Sequence, residues 1–187
     1  YLRGTWGWGI GASGTIYLPH WAPDGTLTGC KLRDGAGGKQ SLPGSRYEHL
    51  YGSWLGRRHK AVLVTEGETD AIYVGWVAAE ERIDIDVFAI PSGAQKTIEP
   101  QWLDFLRGAS PIYLAFDPDE AGVGATRNWI EALNAAGFSD VRICCLPLGR
   151  DLREARPSLR HLLAEARKPL QEPDGIRFII TDNSLRH

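Results

Sequence analysis

The chain has 187 residues, 43% of them hydrophobic, enough for a substantial core in one or two compact units. Its net charge of −2 does not by itself mark a nucleic-acid-binding protein. No apolar run approaches the ~20 residues that span a bilayer and no signal-peptide pattern opens the chain, which excludes membrane insertion and points to the cytoplasm. The absence of any Met suggests a piece excised from a longer protein, and Cys30, Cys144 and Cys145, with no Cys-x-x-Cys among them, read as buried free thiols rather than zinc ligands.

The distribution of charge says more than its total. Residues 1–60 hold 8 Lys/Arg against 3 Asp/Glu, whereas residues 61–187 hold 13 against 20. A basic lobe beside an acidic one suits an enzyme that handles phosphodiesters, with Lys and Arg holding the polymer.

In chain order, residues 1–14 are rich in glycine and aromatics without a clean period and read as a linker or the remnant of an upstream element. Residues 15–21 and 26–33 are β-like runs joined by the turn Pro23-Asp24-Gly25, and a second turn at 34–38 leads into Lys39, giving a small antiparallel meander. From Lys60 strand and helix alternate. Short apolar runs at 62–64, 87–90, 112–116 and 141–146 read as buried parallel strands. The periodicity predicts helices over Asp70–Glu81 (Ile72, Val74, Trp76, Val77 and Ala78 on or near the apolar face), from Pro100 (Trp102, Leu103, Phe105, Leu106 inward), along Ala121–Leu133 with Gly137 as the stop, and from Pro157 to about Lys168. Residues 176–180 read as a strand whose partner is not identifiable. The fold class is α/β: a four-strand parallel sheet flanked by helices, preceded by a small β-rich subdomain. The division is 1–59, 60–156 and a C-terminal helix and tail at 157–187.

Two of the parallel strands run straight into acids. Val62-Leu63-Val64 delivers Glu66, with Gly67 in the turn and Asp70 in the first turn of the next helix; the strand at 112–116 delivers Asp117 and Asp119. Catalytic groups in such sheets collect at the carboxyl ends of the strands, so these four carboxylates are expected to converge. Taken singly, each has an ordinary reading, Asp119 or Asp70 as a helix N-cap and Glu66 as a turn residue. As a set they would repel one another, which favours a hard cation with a preference for oxygen, Mg²⁺ or Mn²⁺. Ala121 and Gly122 are small enough for the following helix to approach the Asp117 loop closely. Asp151, at the end of the fourth strand, faces the same site.

The segments VTEGETDA (64–71) and AFDPDEAG (115–122) resemble the glutamate and Asp-x-Asp motifs of the TOPRIM domain, a metal-binding module shared by bacterial-type primases, phage primase-helicases, topoisomerases and some nucleases. The resemblance covers roughly residues 60–154. The preceding lobe is similar to the amino-terminal subdomain of the polymerase core of bacterial and phage primases: a hairpin ending in Arg33, then Lys39, then Leu50-Tyr51-Gly52 before the first parallel strand. This resemblance implies a primase core making short RNA primers on single-stranded DNA from nucleoside triphosphates, with a replicative helicase domain or protein as partner and no membrane. Glu66, Asp70, Asp117, Asp119 and Asp151 would be metal ligands, with Glu66 also a general base. Arg33, Lys39 and Arg46 would hold template or nucleotide, with Lys31 and the cluster 57–60 as further candidates. Similar primases usually carry an Asp-x-Asp where this chain reads Asp151-Leu152-Arg153-Glu154; the second acid is Arg153, and Glu154 is its only nearby substitute. The alternative is a metal-dependent nuclease with the same acidic site.

Overall fold

The computed structural model describes residues 2–91, 97–146, 152–172 and 175–177. Two four-stranded sheets dominate it. The first is an antiparallel meander in the order β1-β2-β3-β4, formed by Gly9–Ile10, Ile16–Trp21, Leu27–Arg33 and Lys39–Ser41. Gly25, at φ 86°, closes the β2–β3 turn in the left-handed conformation that glycine adopts without penalty. Residues that face each other across antiparallel strands share a side. Lys31 pairs with Ser41, Arg33 with Lys39, Leu18 with Lys31 and His20 with Gly29, which puts these side chains on one face.

The second sheet is parallel, in the order β6-β5-β7-β8, from Val62–Thr65 (β5), Asp86–Ala89 (β6), Ile112–Ala115 (β7) and Val141–Ile143 (β8). Strands β5 and β7 are buried along their whole length, as their unbroken apolar runs require in a sheet covered on both faces. Alternate residues serve two cores. Leu63, Val87, Ala89, Tyr113 and Ala115 meet helix α2 (Glu68–Glu81), α5 (Leu152–Ala155) and α6 (Leu159–Ala164), whereas Val62, Val64, Phe88, Ile112 and Leu114 meet α3 (Pro100–Leu106) and α4 (Glu120–Ala135). On the second face Trp102 and Trp129 stack with ring centroids 6.1 Å apart. Helix α4 ends as expected, with Gly137 at φ 88° and the amide of Phe138 donating back to the Leu133 carbonyl.

Several local readings need correction. The opening segment is not a linker: Leu2–Trp6 is a helical turn (α1), and Trp6 is buried where it stacks on Tyr51 at 5.6 Å. Gly75 of α2 permits this, since a Cβ there would stand 2.8 Å from the Trp6 ring. Trp76 is 40% exposed and Cys145 is exposed, while Cys30 and Cys144 are buried free thiols. The fourth strand stops at Ile143, and the helix after Pro157 is limited to Leu159–Ala164. The strand sought near 176 is β10 (Gly175–Arg177), paired with β9 (Leu170–Glu172); residues 178–180 lie outside those described. Among the described residues no helix is long and apolar enough to cross a membrane.

Candidate active site

Strand order explains why distant acids meet. β5 lies between β6, which follows it in the chain, and β7, which comes later, so the order reverses at the β5–β7 seam. Such a switch point opens a crevice at the carboxyl ends of the two strands. Thr65 pairs with Ala115 there, so Glu66 and Asp117 leave the sheet as neighbours, and the Asp117 amide donates to Glu66 Oε2 at 3.3 Å. Burial raises the Glu66 carboxyl, and the nearby charges of Asp117, Asp119 and Asp70 add to this against that amide bond, bringing it to about 7.

Asp70, 7% exposed, belongs to the first turn of α2, and Arg153 Nε donates to its Oδ1 at 2.9 Å. Asp119 is exposed and caps α4, its Oδ1 accepting from the Gly122 amide at 2.8 Å. It is not among the residues that line the crevice with Asp117, although it is near enough for its charge to act on Glu66. Asp151 lies outside the described residues, as do Arg150 and the side chain of Glu154. Among the described residues no three His, Cys, Asp or Glu side chains form a ready-made metal cage. The donor set nevertheless suits a hard cation: Glu66, Asp70 and Asp117 line one cleft with carboxylate oxygens, whose mutual repulsion such an ion relieves.

Gly122 fixes the approach of α4 to this loop. A Cβ there would stand 2.0 Å from the Asp117 carbonyl oxygen, a backbone atom that cannot swing aside. Gly122→Ala should therefore lower stability by about 1–3 kcal/mol and displace Asp117. An unchanged urea midpoint would contradict this packing.

The basic face of the meander forms the opposite wall. Lys31, Arg33, Lys39, Gln40 and Ser41 line a cleft of about 370 Å³ with Glu66, Gly67, Glu68, Thr69, Asp70, Asp117 and Arg153. The wall is fastened by a residue that the sequence reading passed over. Glu68, 2% exposed at the start of α2, is in ion-pair contact with Lys31 Nζ, and its Oε2 lies 3.7 Å from Arg33 Nη2. His20 Nε2 stands 3.3 Å from Glu68 Oε1 without the alignment of a hydrogen bond. Burial alone would raise the Glu68 carboxyl, but contact with His20 and the charge of Lys31 outweigh it and hold it down to about 2. Burial lowers the His20 imidazole against the pull of Glu68, which favours its neutral form.

Other basic candidates lie elsewhere. Arg46 is exposed and nearest Glu48, at 3.9 Å, and does not line the cleft. The cluster at 57–60 sits at the amino-terminal ends of the parallel strands: the Arg58 and His59 amides donate to Asp86 at the start of β6, and Arg57 Nη1 bonds the Leu106 carbonyl. That is the end of the sheet remote from the carboxylates.

A glutamate segment and an aspartate segment meet at the β5–β7 seam, and residues 63–155, which contain both, match the family model called Toprim-like. No curated protein sequence matches the chain. Solved structures match across most of it. One is a chain from the complex in which bacteriophage T7 lagging-strand DNA polymerase interacts with primase domains of two gp4 subunits bound to an RNA/DNA hybrid and dTTP: 23% identity, 88% of this chain, 86% of that one, TM-score 0.69. The primase fragment of the bacteriophage T7 primase-helicase protein gives 22% identity, 87% and 67% coverage and a TM-score of 0.65. A DNA primase domain from Pseudomonas aeruginosa gives 21% identity and a TM-score of 0.60, with this chain (88% covered) spanning 58% of it. The shared property is the fold: a Toprim-like parallel sheet preceded by an antiparallel one, as in primase cores.

Proposed function

We propose that this chain is the catalytic core of a DNA primase that joins ribonucleotides on a single-stranded DNA template. The observation that carries the reading is the cleft itself, where the basic face of β3 and β4 stands across from the carboxylates at the β5–β7 seam. A likeness to the T7 complex, whose primase domains are bound to an RNA/DNA hybrid and dTTP, supports the same reading.

Glu66 and Asp117 would hold Mg²⁺ or Mn²⁺, with Asp70 lining the same cleft and Asp119 and Asp151 the further ligands that the resemblance of the motifs implies. When bound, such an ion neutralises charge on a reacting phosphate and helps align an in-line displacement. The chain's own groups do the rest. Lys39, exposed on the outer strand β4, and Arg33 beside it would hold phosphates of template or triphosphate, and Lys31, fixed by Glu68, adds charge deeper in the wall. Glu66, half-buried with a raised carboxyl, would accept a proton from the attacking 3′-hydroxyl, provided that hydroxyl comes within about 3 Å or one water. The basic subdomain at 1–59 and the Toprim segment at 60–156 would thus act as two walls of one site, and a helicase domain or protein is the expected partner.

Lys39→Ala should weaken single-stranded DNA binding and flatten the plot of log affinity against log salt by about 0.7, the value of one lost phosphate contact. An unchanged slope would place the nucleic acid elsewhere. The nuclease alternative predicts instead that a labelled strand is shortened in Mn²⁺ without triphosphates.

A further inference from the structure

We infer that Arg153 supplies, as a cation fixed to the chain, the positive charge at Asp70, so that the acidic end of the cleft takes a divalent cation at Glu66 and Asp117 and not a second one at Asp70. The inference rests on the metal-dependent reading above. Its ground is a contact with a fixed origin: Arg153 Nε donates to Asp70 Oδ1 at 2.9 Å, within charge-assisted hydrogen-bond range, and both residues line the same cleft as Glu66 and Asp117.

The contact is anchored at both ends. Asp70 is 7% exposed in the first turn of α2, and Arg153 follows Leu152, which is 2% exposed in the core that packs α5 against α2. The guanidinium is thereby held at the carboxylate rather than visiting it from solvent. Arginine keeps its charge at every pH the fold survives, so this cation neither titrates away nor dissociates. A divalent ion seeking Asp70 would have to displace a hydrogen-bonded guanidinium and then stand beside its charge. Both requirements disfavour it, whereas an ion between Glu66 and Asp117 meets two carboxylates that the β5–β7 seam brings together at the cleft.

Mn²⁺ titration of the 187-residue chain tests this, by calorimetry for stoichiometry and by the electron paramagnetic resonance of bound Mn²⁺ for the number of distinct sites. The wild-type chain should bind one ion tightly, and Asp117→Asn should weaken it about tenfold or more. Arg153→Ala should gain a second ion, Arg153→Lys should keep the wild-type stoichiometry, and adding Asp70→Asn to Arg153→Ala should remove the extra ion. The Arg153 side chain is about half exposed, so these variants should fold, and a thermal transition near that of the wild type checks this. One ion in both the wild type and Arg153→Ala, with the Asp117→Asn loss intact, overturns the role of Arg153 and leaves the metal-dependent reading standing. Two ions in the wild type overturn it as well. No Mn²⁺ bound by any variant overturns both.

Discussion

Glu68→Ala should destabilise the protein by about 3–5 kcal/mol, the range for removing one partner of a buried ion pair. The cost follows from what is left behind. Lys31 and Arg33, whose side chains are only 20% and 22% exposed, would lose the carboxylate that holds them, and His20 and Tyr51 would line an emptied site. Glu68→Gln keeps the shape and removes the charge, so it should lose less than the alanine variant while still loosening the basic wall. Urea unfolding of the three proteins at pH 7 measures the order. A loss below about 1 kcal/mol for Glu68→Ala would show that solvent already screens the cluster.

The same group sets an acid limit. A carboxyl held at about 2, against 4.5 in the unfolded chain, contributes stability that is fully present above 4.5 and is lost as pH falls towards 2. His20 acts in the same direction, because an imidazole lowered by burial favours unfolding once the unfolded chain takes up protons below 6.5. Between about pH 7 and 4.5 the raised Glu66 carboxyl takes up its proton in the folded state and opposes His20, so wild-type stability should fall steeply only below about 4.5. Glu68→Gln should remove the lower limb selectively.

The parallel strands were legible in the sequence because a strand covered on both faces is mostly apolar, and the runs at 62–64 and 112–115 are. The meander was legible from turn chemistry, with Gly25 where the chain needs a positive φ. The pairing order was not: nothing local says that β5 lies between β6 and β7, yet that order makes Glu66 and Asp117 neighbours. Asp119 shows how one pattern serves two purposes. It was expected to converge with the other carboxylates and also offered an N-cap, and the helix begins one residue later with its side chain closing the first turn.

Glu68 escaped notice because an acid in a first helical turn is ordinary, favoured by the helix dipole alone. The only signal was the alternation of His20, Lys31 and Arg33 onto one face of the meander, and it required knowing that this face meets α2. Trp6 was hidden in a glycine-rich stretch whose local sequence carries no period; its burial is decided by Gly75, far along the chain. Arg153 was visible as a departure from the expected acid, but its partner, Asp70, came only from the fold.

Extension of a preformed RNA primer on a DNA template, with ribonucleoside triphosphates and Mn²⁺, tests the central claim most directly. It asks only for nucleotide addition at the cleft and does not depend on recognition of a start site by other domains. The wild-type chain should lengthen the primer, and Glu66→Gln, which keeps the side-chain shape but removes both the negative charge and the proton acceptor at the β5–β7 seam, should reduce the rate by about 100-fold or more. Metal-dependent shortening of the labelled strand, lost in Glu66→Gln and unaffected by triphosphates, with no extension product, would contradict the primase reading and assign the same carboxylates to a nuclease.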